Sequence, residues 1–155
     1  MLIVCIRFMK NMRKRYTLFT KHISTSLQET LSIGKALAKT MKPGTVISLS
    51  GALGAGKTAL VKGIAKGLGI KEEITSPTFT IVSIYEGDLP LYHVDLYRIH
   101  ELNELYDIGL EEIMYNDGIT AIEWPEIACS LLPEHTITVD IQIQKHGIRK
   151  IHIQG

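Results

Sequence analysis

Residues 51–58 read Gly-Ala-Leu-Gly-Ala-Gly-Lys-Thr, and no other stretch so narrows what this chain can fold into. A G-x-x-x-x-G-K-T loop works only between a buried strand and the first turn of a helix. Both flanks are present. Thr45-Val-Ile-Ser-Leu49 is a β-branched apolar run, and 58–68 is helix-forming. Gly51, Gly54 and Gly56 let the backbone turn tightly, so that successive N–H groups point inward at phosphate oxygens. The backbone of Gly51, Ala52, Leu53, Gly54, Ala55 and Gly56 is therefore expected to cradle a nucleotide, with the helix N-terminus adding its partial positive charge. Lys57 places a point charge on the β/γ-phosphates, and the Thr58 hydroxyl is set to ligate Mg²⁺. The predicted fold class is α/β and P-loop NTPase-like, with a mainly parallel sheet flanked by helices and a C-terminal antiparallel hairpin.

At 155 residues the chain is long enough for one domain with its own core. Its net charge of +1 gives no global field that argues for nucleic acid, but the charge is unevenly placed. Residues 1–22 carry Arg7, Lys10, Arg13, Lys14, Arg15 and Lys21 and no acid, against 11 basic and 16 acidic residues beyond them. Residues 1–15 are expected to be a basic extension, with Met9 and Met12 as alternative starts, and 16–155 a single P-loop domain. Cys5 and Cys129 are far apart, lack metal-ligand spacing and suit a reducing cytosol. No segment has the length and apolarity of a membrane span, and a cytoplasmic location is expected.

The rest of the chain follows hydrophobic period and turn chemistry. Tyr16 to Ile23 reads as a first strand. Ser26-Leu-Gln-Glu29 is a capping box opening a helix that shows Leu27, Leu31, Gly34, Leu37, Ala38 and Met41 on one face and stops at Pro43-Gly44. A polar linker at 71–79 leads to strands at Thr80–Tyr85 and Leu91–Asp95. Residues 101–114 are helical with a break at Gly109, and Ile119–Glu123 is a buried strand. Thr136–Ile143 and Arg149–Ile153 form the expected hairpin around His146-Gly147.

Mg²⁺ prefers oxygen ligands and keeps several waters, so Thr58 and phosphate leave room for a carboxylate. In open α/β sheets that donor sits at the carboxyl end of a neighbouring strand, which singles out Glu123 and Asp95. His93 shares a strand face with Asp95 and is read as lining the same site. Arg98 has two readings: a cis arginine for a γ-phosphate, or a partner for a carboxylate of the fold. Ser76-Pro-Thr78 is either a strand-entry turn or a switch-like loop whose Thr78 hydroxyl senses γ-phosphate or Mg²⁺.

Taken together, Gly51–Thr58, Ser76-Pro-Thr-Phe79, His93-Val-Asp-Leu-Tyr-Arg98 and Glu123-Trp-Pro-Glu126 closely resemble, in order and spacing, the TsaE (YjeE) family of bacterial P-loop ATPases. The resemblance spans about residues 24–145. It implies a small ATPase of tRNA threonylcarbamoyladenosine biosynthesis that acts with TsaB and TsaD on the modification of adenosine 37 in tRNAs reading ANN codons. It implies that the ATPase contacts tRNA only indirectly and does not itself transfer the carbamoyl group. It further implies ATP and Mg²⁺ as cofactors, Thr58 and Glu123 as Mg²⁺ ligands, Asp95 as an essential acid, and Ser76–Thr78 as the switch. Three positions depart from the family's pattern. Ala52 stands where an acid is usual and Ala59 where a second Thr is common. Arg149, in Gly147-Ile-Arg149, corresponds only with a one-residue shift to a nucleotide-contacting arginine.

Lys57, Asp95 and Glu123 are thus the candidate catalytic residues. Rival readings are a small-molecule kinase of P-loop type and a nucleotide-gated scaffold without turnover. A kinase would need an acceptor pocket and an arginine-bearing lid, and no lid-sized insertion is visible. A GTPase is disfavoured because no N-K-x-D signature occurs.

Overall fold

The computed structural model describes residues 19–155. The basic extension, the alternative starts, Cys5 and the first residues of the expected first strand lie outside the described residues. Seven strands form one sheet: β1 (Phe19–Ser24), β2 (Val46–Gly51), β3 (Val82–Tyr85), β4 (Leu91–Asp95), β5 (Ile119–Glu123), β6 (Ile137–Ile143) and β7 (Arg149–Gln154), in the order β1-β7-β6-β2-β5-β4-β3. The four central strands, β6, β2, β5 and β4, run parallel, while β3 and the β7–β1 pair add antiparallel edges. The fold is therefore the expected α/β architecture with a C-terminal hairpin, formed by β6 and β7. β2, β4 and β5 are buried along nearly their whole length because helices cover both of their faces, whereas β6 alternates buried and open positions.

One face is covered by α1 (Leu27–Ala38) and α2 (Lys57–Gly67). Ser26 caps α1 by accepting from the Glu29 N–H at 3.2 Å. The Glu29 carboxylate reaches one residue further back than a capping box requires, taking the Thr25 N–H at 2.5 Å and the Thr25 hydroxyl at 3.0 Å. Leu31, Gly34, Leu37 and Ala38 are buried as expected, whereas Leu27, in the first turn, faces solvent. The two helices interlock at glycines. A Cβ on Gly34 would lie 2.3 Å from the Leu60 carbonyl oxygen, and one on Gly63 would lie 2.3 Å from that of Leu31. With Leu60, Ile64, Ile47, Leu49 and Ile141 they form the larger core.

The opposite face is covered by α3 (Leu102–Asp107) and α4 (Leu110–Met114), with the 3₁₀ turn Pro125–Ala128. Gly109 between α3 and α4 has φ +66°, the break expected there. Leu105, Leu110 and Met114 close a second core over Val46, Val94 and Ile122. No helix among the described residues is long and apolar enough to cross a membrane.

Candidate functional site

The parallel register brings the sequence candidates to one edge. Leu49 of β2 pairs with Glu123, and Glu123 with Asp95 of β4, so both acids end their strands beside the start of the glycine loop. This is the carboxyl edge of the sheet, where open α/β sheets collect ligands.

The loop itself is shaped by backbone constraints. Gly51 has φ +144°, and a Cβ there would meet the Ile141 carbonyl oxygen at 2.5 Å, so only glycine lets β2 leave the sheet this close to β6. Gly54 and Gly56, at φ +73° and +108°, flank Ala55 and reverse the chain's handedness on either side of it. Such alternation turns successive N–H groups to the same side. Gly56 caps α2 and contributes no side-chain bond, so the first-turn amides of α2 are not taken by a capping side chain. A phosphate fits this donor set, which combines a nest with an uncapped helix start.

Lys57, the first residue of α2, is buried. Its ammonium donates to the carbonyls of Gly51 at 2.8 Å and Ala52 at 3.1 Å, and sits 3.7 Å from the centroid of the Trp124 ring. Burial lowers its pKa, against the opposing charges of Glu123, Asp95 and Glu126. Trp124 reaches this position by turning the chain into the left-handed region at φ +57°, directly after β5 and before Pro125, and it also packs 4.9 Å from Tyr97.

Thr58 follows on α2 and donates to Glu123 Oε1 at 2.8 Å. The same oxygen lies 2.8 Å from His93 Nε2. Among the described residues there is no group of three His, Cys, Asp or Glu side chains fit to hold a metal. Mg²⁺ does not need one, since it is usually held by one or two protein oxygens together with phosphate oxygens and water. The adjacent Thr58 hydroxyl and Glu123 carboxylate fit that pattern.

Asp95 faces the segment 75–79. Its Oδ2 accepts from the hydroxyls of Thr78 at 2.6 Å and Ser76 at 3.0 Å, and its Oδ1 accepts from the Tyr97 N–H at 3.0 Å. The segment joins β3 through Ile81, a β-branched residue at φ +66°, whose N–H donates to the Pro77 carbonyl. Phe79 projects outward, 82% exposed, under the Arg98 guanidinium at 4.3 Å.

Lys57, Thr58, Glu123 and Asp95 thus meet at one edge, with Thr78 joined to them through Asp95. Two candidates stand apart. The Arg98 guanidinium stacks on Phe79, and among the described residues it pairs with no carboxylate. Arg149 starts β7 opposite Ile143, two residues past the Gly51–Ile141 pairing, with its guanidinium on the carbonyl of Gly147. It shares the edge but sits two strands from β2. Sequence reasoning missed two partners. Trp124 covers Lys57, and the Trp-Pro after a buried strand was its only signal. His93 meets Glu123 rather than Asp95, since alternate residues on one strand share a face but adjacent strands decide the contact.

Residues 24–151 match the protein family described as threonylcarbamoyl adenosine biosynthesis protein TsaE. A Treponema pallidum protein named tRNA threonylcarbamoyladenosine biosynthesis protein TsaE is 47% identical over 131 residues, covering 84% of this chain and 97% of that relative. A Bacillus subtilis protein of the same name is 44% identical over 116 residues, covering 74% of this chain and 72% of the relative. Among solved structures, Bacillus subtilis YdiB superposes with a TM-score of 0.78 at 34% identity, over 91% of this chain and 87% of that one.

Proposed function

The chain belongs to the TsaE family, and on that premise we propose that it serves tRNA N6-threonylcarbamoyladenosine biosynthesis as an ATP-binding and ATP-hydrolysing accessory protein. Its object is a TsaB–TsaD-type complex, and tRNA is reached through that complex. The observation that carries this reading is the convergence of Lys57, Thr58, Glu123 and Asp95 at the carboxyl edge of the sheet.

In this reading the amides of 51–58 and the Lys57 ammonium bind the phosphates and fix their orientation. Thr58 and Glu123 would hold Mg²⁺, which would supply charge neutralisation for the phosphoryl group. Asp95 would orient the attacking water. It also holds Thr78 and Ser76, so the ordering of 75–79 is tied to the acid at the site.

Hydrolysis has no second substrate within the described chain, so its free energy acts on a partner. A partner that prefers the ATP form must tighten ATP binding by the same factor. ATP turnover measured alone and with a TsaB–TsaD pair, alongside partner affinity with ATP analogue, ADP and no nucleotide, tests both halves. Stimulated turnover and nucleotide-dependent affinity are expected. Equal partner affinity in all three states would sink the coupled-ATPase reading.

A further inference from the structure

We propose that His93 is a positioning residue that holds the Glu123 carboxylate toward Thr58 by donating from Nε2, and so sets the affinity for Mg²⁺. This rests on the ATPase reading above. His93 is fully buried in β4, facing Ala121 on one neighbouring strand and Ser83 on the other. An apolar side chain would fill that position without leaving polar atoms behind. The imidazole instead brings two nitrogens. Nε2 lies 2.8 Å from Glu123 Oε1, while Nδ1 is buried without a partner. The carboxylate oxygen is the acceptor, so Nε2 is the donor in this bond. A ring nitrogen buried without a partner is unfavourable, and the bond from Nε2 to Glu123 offsets it.

The geometry at Oε1 shows what that bond does. The oxygen receives the Thr58 hydroxyl from α2 and the His93 N–H from β4, both at 2.8 Å. Two donors on one oxygen fix the carboxylate's rotation. A third group that orients a ligating carboxylate in this way typically changes metal affinity by 10–100-fold when it is lost.

The test is calorimetric binding of a non-hydrolysable ATP analogue to the full chain across a Mg²⁺ titration. His93→Phe should raise the Mg²⁺ needed for half-maximal tightening about 10-fold and leave binding in EDTA unchanged. His93→Gln, whose amide nitrogen reaches the place of Nε2 and still donates, should stay within about 3-fold of wild type. In a Glu123→Gln background, His93→Phe should add nothing. If the Phe variant does not fold, His93→Asn replaces it, since its shorter amide cannot reach Oε1.

A wild-type Mg²⁺ dependence in His93→Phe overturns the proposal. So does a His93→Gln variant as impaired as His93→Phe, because volume and not the donor would then be at issue. An equal loss of binding in EDTA overturns it too, as the mark of a purely structural residue. If the wild-type chain itself shows no Mg²⁺-dependent analogue binding, the ATPase reading fails, and this inference fails with it.

Discussion

The loops at 51–58 and 75–81 reach the same edge of the sheet, yet they are held by different means. The first is fixed by backbone and packing. Gly51 is pressed against β6, Lys57 bonds back to the loop's own carbonyls, and the helix behind it interlocks with α1 at Gly34 and Gly63. The second is tethered by side chains. Two hydroxyls rest on one carboxylate, and Ile81, where it enters β3, occupies a conformation that costs a β-branched residue about 1–3 kcal/mol. A backbone-fixed loop is suited to be a platform. A loop held through one carboxylate at the edge of the site is suited to be released and re-formed.

The largest effects should come from the charged groups at this edge. Lys57→Ala should abolish productive Mg-ATP binding while the circular dichroism spectrum stays unchanged. Glu123→Gln and Asp95→Asn should each cut turnover by about 10²-fold or more, with nucleotide affinity falling much less. Asp95→Asn should also loosen the second loop, and Glu123→Gln should not. Hydrogen exchange across 75–79 separates them, and equal exchange in the two variants would erase the distinction between platform and tether.

Next in size is the platform's packing. Gly34→Ala or Gly63→Ala places a methyl 2.3 Å from a backbone carbonyl of the facing helix, where nothing flexible can yield. A loss of about 2 kcal/mol or more is expected, lowering the melting midpoint by roughly 5 °C or more. An unshifted midpoint would mean that the helices are not locked to one another.

The tether should respond differently. Ser76→Ala with Thr78→Val removes both hydroxyls from Asp95. Exchange across Thr75 to Phe79 should quicken several-fold, while the midpoint moves by about 2 °C or less, because the segment contributes little to either core. With ATP analogue bound, wild type should protect these amides more than with ADP, and the double variant should lose that difference. Equal protection in the two wild-type states would reduce the segment to a strand-entry turn.

These contrasts also explain what could be read in the sequence. β5 appears over the expected residues, and β4 likewise, because both are short apolar runs bounded by turns. The glycine loop, its strand and its helix follow from steric demands local to eight residues. The contacts of His93 and Trp124 depend on strand order and register, which no local pattern encodes. Spacing alone puts Leu27 on the buried stripe, yet in the first turn of α1 its side chain is exposed. Arg149 matches its motif only with a one-residue shift, and its place two strands from β2 follows from the hairpin that joins β7 to β6.

The smallest expected effect concerns whether the platform depends on capping as well as packing. Glu29 accepts the Thr25 N–H and hydroxyl at the exposed start of α1, and the backbone bond is the main reason its pKa is lowered from 4.5. A carboxylate with a depressed folded-state pKa contributes stability that is present above its unfolded pKa and is lost as pH falls through the folded value. Glu29→Gln keeps an acceptor oxygen in place and removes only the charge. Near pH 7 the variant's midpoint should lie below wild type by about 2 °C or less, and the gap should close as pH is lowered below 4.5. Melting curves of the pair across that range give the answer. A gap that stays constant in acid would show that Glu29 acts through shape rather than charge. A gap as large as that of Gly34→Ala would mean that the start of α1, and not its interlocked face, holds the platform together.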